Sequence, residues 1–130
     1  LRVQIEGRVL GDIARNHIIP TAIKYQNTLI ENVSGLKNIF GNEFKIHAKE
    51  QIDLIEKISM HIAGINSKTT AMIEERKKAN TMHGQEAADA YCNVVKPYFE
   101  EIRYHCDKLE MMVDDELWPL AKYRELLFTR

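Results

Sequence analysis

No stretch of this 130-residue chain is apolar for long enough to cross a bilayer. A spanning helix takes about 20 consecutive apolar residues, and the apolar runs here stop after a few. A basic-then-apolar leader is not visible either, so the expectation is a soluble protein without a membrane partner. Charge of one sign is also missing: 18 Lys and Arg stand against 19 Asp and Glu, a formal net charge of −1. That balance offers no basic face for nucleic acid. Cysteine is scarce, with Cys92 and Cys106 alone. Fourteen residues of helical rise would hold those two about 21 Å apart, far beyond disulfide reach. Free thiols read as small buried hydrophobes and fit a reducing, cytoplasmic setting. With three prolines and six glycines there is no flexible linker between domains and no low-complexity tract.

Helical periodicity fills the space those absences leave. Apolar residues are 45% of the chain and charged residues 28%, enough to bury one core without staples. No run alternates strictly enough to be a strand, so the fold class is all-α and the chain a single helical domain over 1–130. A first helix is predicted over residues 3–40, ended by the glycine of Gly41-Asn42. Its second half carries a stripe of Ala22, Leu29, Val33, Leu36 and Phe40; its first half shows Val9, Ile13, Pro20 and Ile23 on a neighbouring phase.

A second helix over 43–79 repeats Ile55, Ile58, Ile62, Ile65, Thr69 and Met72 at steps of three and four. That spacing favours long helices lying alongside a partner. Gly64 costs this helix about 1 kcal/mol relative to alanine. The segment 80–84 reads as a short connection that turns the chain back. A third helix over 85–117 aligns Ala88, Tyr91, Val95, Tyr98, Ile102, His105, Leu109 and Met112. Trp118-Pro119 closes it, and Pro119 opens a short fourth helix over 120–128. The predicted architecture is an antiparallel bundle of three long helices plus a short C-terminal one. Pro20 and Pro97 are expected to kink the first and third, because a proline inside a helix removes a donor and crowds the carbonyl four residues back.

Candidate chemistry is thin. The Glu-x-x-His pairs of carboxylate-bridged metal bundles are absent. Glu43 with His47 and Glu101 with His105 lie four apart, the spacing of surface ion pairs. His105 stands in an apolar stripe and reads as a half-buried histidine satisfied by a hydroxyl or carboxylate. Cys106 beside it projects about 100° away around the helix, so no nucleophile and base are paired. The run Glu74-Glu75-Arg76-Lys77-Lys78 reads as a solvated helix end. Arg15, Asn16 and His17 beside Pro20 look at first like a site, and read better as a joint between two packing neighbours. No catalytic, cofactor-binding or metal-binding residue is assigned. The end of the chain holds Trp118, Leu126, Leu127 and Phe128. Large apolar residues at an end pack on their own bundle or dock on another domain or subunit.

Three segments resemble the C-terminal helical domain of type III glutamine synthetases. They are 4–27 (QIEGRVLGDIARNHIIPTAIKYQN), 95–105 (VKPYFEEIRYH) and 113–128 (VDDELWPLAKYRELLF). The middle helix matches in pattern only, and Ala121 departs from an expected proline. The resemblance implies a cytoplasmic enzyme that joins ammonia to glutamate at the expense of ATP, with Mg or Mn in its site. It also implies stacked rings of identical subunits and catalytic chemistry in an α/β region preceding this segment. The 130 residues are then expected to be an inactive C-terminal fragment, in keeping with a start at Leu1 inside an uncapped helix. Its partners would be the catalytic domain of the same chain and neighbouring subunits. The rival expectation is a free-standing helical adaptor that binds a partner helix in a groove.

Overall fold

The computed structural model describes residues 2–113, with the side chains of 8–113. These residues are helical except for short connections, and no strand occurs among them. The first arm comprises α1 (Arg2–Ile13), a π-helical turn (Ala14–Ile18) and α2 (Ile19–Phe40). Gly41 ends it at φ 61°, the left-handed conformation expected there. A 3-10 turn (Gly41–Glu43) and the single-turn α3 (Phe44–His47) lead into α4 (Lys49–Asn80). The third arm comprises α5 (Gly84–Ala90), a second π turn (Tyr91–Val95) and α6 (Pro97–Met112).

Both prolines interrupt the α-helix as expected, and both do so through a π turn. The Ile19 N–H bonds the carbonyl of Ala14, five residues back. Likewise the Lys96 N–H bonds Tyr91 at 2.9 Å. In each case the next residue is the proline, which has no N–H to continue the ladder. Widening the turn before it lets the chain pass the ring. Beside Pro20 the Thr21 hydroxyl donates to the His17 carbonyl at 2.7 Å. Asn16 and His17 are exposed.

Each π turn adds a residue to one turn of helix and so rotates everything before it. The predicted stripe in the first half of the first arm is therefore corrected. Before the turn Val9 is exposed and Ile13 half-buried, with Leu10 and Ala14 buried; after it Ile18 and Ile19 are buried, and Pro20 and Ile23 face outward on α2. Ala88, which precedes the other π turn, is exposed for the same reason. Downstream of the turns the predicted phases hold at Ala22 and Leu29, and at Val95, Ile102 and Leu109, all buried. Phe40 lies outside the core and stacks on His47, with centroids 3.8 Å apart.

Two boundaries also change. The second helix is broken at Ala48, whose backbone leaves the helical region while its methyl is fully buried; a small side chain fits the inside of that bend. The third helix stops at Met112 instead of running to 117, because Val113 is extended at φ −85°, ψ 142° and turns its side chain into the core. The short fourth helix, Trp118 and the apolar end lie outside the described residues.

Polar contacts fix the register between arms. Arg15 reaches Asn66 and Thr70, Gln26 reaches Ile55 and Ser59, and Asn32 meets Gln51. Partners on α4 fall in number as those on the first arm rise, so these two arms run in opposite directions. Between α4 and the third arm, Tyr91 meets Asn80, Lys68 meets Glu101 and His61 meets His105, again in descending order. The central α4 places Ile58, Ile65 and Met72 against Ile102, Cys106 and Leu109 of α6 and Ala14, Ile18 and Ala22 of the first arm. Each large member of that set contributes about 1.5–3 kcal/mol by burial.

Candidate functional site

The most unusual polar arrangement in the core is a pair of histidines. The apolar period of α4 carries His61 inward, where it is 5% exposed, and α6 brings His105 to meet it. Their Nδ1 atoms lie 2.9 Å apart. Gly64, one turn beyond His61, makes room: a Cβ at that position would overlap the His105 ring. The glycine is thus a socket for the imidazole, a role that its cost to the helix alone does not reveal. Tyr104 closes the outside edge-on, 5.9 Å from His61 and 5.1 Å from His105 between centroids, and carries Lys108 over its own ring.

A 2.9 Å contact between two ring nitrogens needs one donor and one acceptor, so it holds a single proton. Both rings titrate below the usual histidine range. Burial is the main cause for each; His61 also feels His105 and Lys108, and His105 feels Lys68, partly opposed by Glu101. The pair is therefore a clip between α4 and α6 that favours its neutral form. The expectation that His105 would meet a hydroxyl or carboxylate is corrected: its partner is another imidazole. Nothing in the spacing of one helix could show that, because His61 comes from a different arm.

The other candidates resolve plainly. Glu101 pairs with Lys68 of α4 at 3.6 Å and not with His105, and His47 stacks on Phe40 and not on Glu43. Cys106 is fully buried, and its thiol is pushed up to about 12 by burial and by the acids Asp107 and Glu110. Cys92, expected to be buried as well, is exposed. Of Arg15, Asn16 and His17, it is Arg15 that hydrogen-bonds α4. Lys77 and Lys78 pair with Glu74 and Glu75 on the exposed helix end, but Arg76 turns into a cleft toward α1. Among the described residues no group of three or more His, Cys, Asp or Glu side chains converges as metal ligands do. No described helix is long and apolar enough to cross a membrane.

Comparison with known proteins decides the family. A family model of the glutamine synthetase C-terminal domain matches residues 1–37. Glutamine synthetase of Bacteroides fragilis is 49% identical over 132 residues, an alignment that takes in 100% of this chain. The chain belongs to the glutamine synthetase C-terminal domain family. Type-3 glutamine synthetase of Dictyostelium discoideum is 27% identical over 133 residues and aligns with 98% of the chain. The chain spans 18% of the length of each of these glutamine synthetases. The matched residues 1–37 include the first π turn, Pro20 and Thr21.

Proposed function

We propose that these residues form the non-catalytic C-terminal scaffold of a type III glutamine synthetase. In this reading they are an antiparallel bundle of three long arms closed by a short fourth helix. The parent chain would be a cytoplasmic enzyme that ligates ammonia to glutamate with ATP and a divalent metal held elsewhere in the chain. The 130 residues would be inactive alone.

The observation that carries the assembly role is the tip where the first arm turns into α4. Ile39 is 75% exposed and Ile46 76%, with Phe40 beside them. Large apolar side chains grouped at one end of a rigid bundle mark a contact surface. The proposed contacts are the catalytic region of the same chain and identical neighbouring subunits. This reading routes no catalytic step through the described side chains.

Substituting Ile39→Asp with Ile46→Asp in the full-length enzyme tests the role. Charges at a docking surface must be desolvated, which is strongly unfavourable without a partner. The expected result is a weakened assembly with the helical content of the domain unchanged. An assembly as stable as that of the parent would count against the tip as its contact.

A further inference from the structure

Farther along α4 from the histidine pair, α1 and the first π turn face it across a cleft of about 270 Å³. Arg8, Gly11, Asp12 and Arg15 line one wall, Thr69 and Arg76 the other. Three guanidinium groups therefore share a small space with one carboxylate. None of the three arginines forms an ion pair with an acid among the described residues. Arg15 is held in place by neutral oxygens instead, with one Nη donating to Thr70 Oγ1 at 2.7 Å and to the Asn66 carbonyl at 3.4 Å. That leaves the rest of its fork available to the cleft.

A second observation is independent of the charge. Thr69 is 1% exposed, and its hydroxyl has no hydrogen-bond partner. A buried, unmatched hydroxyl is unfavourable and uncommon. Here it belongs to a residue that lines the cleft. Gly11 lies directly across from it: a Cβ there would sit 3.5 Å from Thr69 Cγ2 and 3.8 Å from Met72 Cε, an ordinary contact that would fill space without a clash.

We propose that this cleft binds a dianionic oxyanion of the phosphate class. Guanidinium forks match phosphate oxygens with paired charge-assisted hydrogen bonds, and Thr69, whose hydroxyl is buried without a partner, belongs to the same lining. The π turn places Arg15 in the wall, so the irregularity beside Pro20 also builds the site. The site is separate from the exposed tip, and the proposal does not depend on the assembly role.

The test is equilibrium dialysis of the full-length chain against radiolabelled inorganic phosphate and against a phosphate monoester. The variants are Arg8→Gln with Arg76→Gln, and Gly11→Ala, which adds a methyl to the cleft and favours the helix. Lys77→Gln removes one positive charge, half of what the double variant removes, from the exposed face of the same helix turn. The expected result is one fewer phosphate equivalent per chain in the double arginine variant at concentrations that fill the parent site, with affinity down at least about tenfold. Gly11→Ala weakens binding without lowering the melting temperature, and Lys77→Gln changes nothing. Tighter binding of the monoester assigns the site to a phosphorylated small molecule and equal binding to free phosphate, both of which support the proposal. Unchanged phosphate binding in the arginine and glycine variants, or an equal loss in Lys77→Gln, overturns it.

Discussion

The Nδ1 atoms of His61 and His105 face each other at 2.9 Å across the seam between α4 and α6, in a gap that Gly64 leaves open. Adding a second proton to the pair sets two donors against each other at that distance. Both rings titrate below 6.5, the value the unfolded chain would show. Below 6.5 the unfolded state therefore binds more protons than the folded one, and stability rises with pH through that window. The contribution is complete above 6.5 and is lost as the pH falls toward the lowered folded values. Urea midpoints should drop between about pH 7.5 and about pH 5.5. They should drop less when both histidines are replaced by glutamine, and a parent curve no steeper than the variant's would contradict the shared-proton clip.

Gly64→Ala sets two effects against each other. Alanine gains about 1 kcal/mol of helix propensity, whereas overpacking a filled core costs about 1–3 kcal/mol. The methyl would overlap a ring that His61 already holds in place, so overpacking wins and the variant is destabilised. In a His105→Ala background the obstacle is gone, and the same substitution should be neutral or stabilising. A double-mutant cycle by chemical denaturation reads the sign change; additive effects would show that Gly64 is not the socket.

Thr21→Val removes the hydroxyl that donates to the His17 carbonyl beside Pro20, at a buried position. Loss of one such bond costs about 1 kcal/mol. Thr28→Val removes a longer bond, 3.3 Å to the Lys24 carbonyl, from an exposed face of a regular helix. It should have little effect. Equal melting temperatures for the two variants would remove Thr21 from the account of the proline joint.

The two thiols should differ in reactivity. Cys92 is exposed, while Cys106 is buried with its thiol pushed up to about 12. Only the thiolate is nucleophilic. Iodoacetamide at neutral pH should therefore alkylate Cys92 alone in the folded chain, and both after denaturation. Peptide mass mapping distinguishes the sites, and rapid native labelling of Cys106 would contradict its placement in the core.

Much of this organisation was legible because apolar spacing survives in sequence: Ile58, Ile65 and Met72 lie one long period apart and all are buried. Gly41 as a helix end was legible for a steric reason, its φ of 61°. Val9 misled because a π turn between it and α2 changes the period without any change in composition. A proline announces an interruption, and the sequence does not say that the turn before it will widen. The histidine pair was hidden for another reason. His105 is visible in its own stripe, but its partner and its socket belong to α4, and pairing across arms depends on a register set by contacts such as Arg15 with Thr70 and Lys68 with Glu101. The cleft was missed likewise: Arg76 looked like part of a solvated helix end, and its counterparts Arg8 and Arg15 lie more than 60 residues earlier in the chain.

The scaffold role is tested most directly by sedimentation velocity on the full-length glutamine synthetase chain with and without these 130 residues, with activity measured on the same samples. The account predicts that the shortened chain sediments as a smaller or heterogeneous assembly and loses activity with it. A shortened chain that keeps both the parent's sedimentation coefficient and its specific activity would contradict the account.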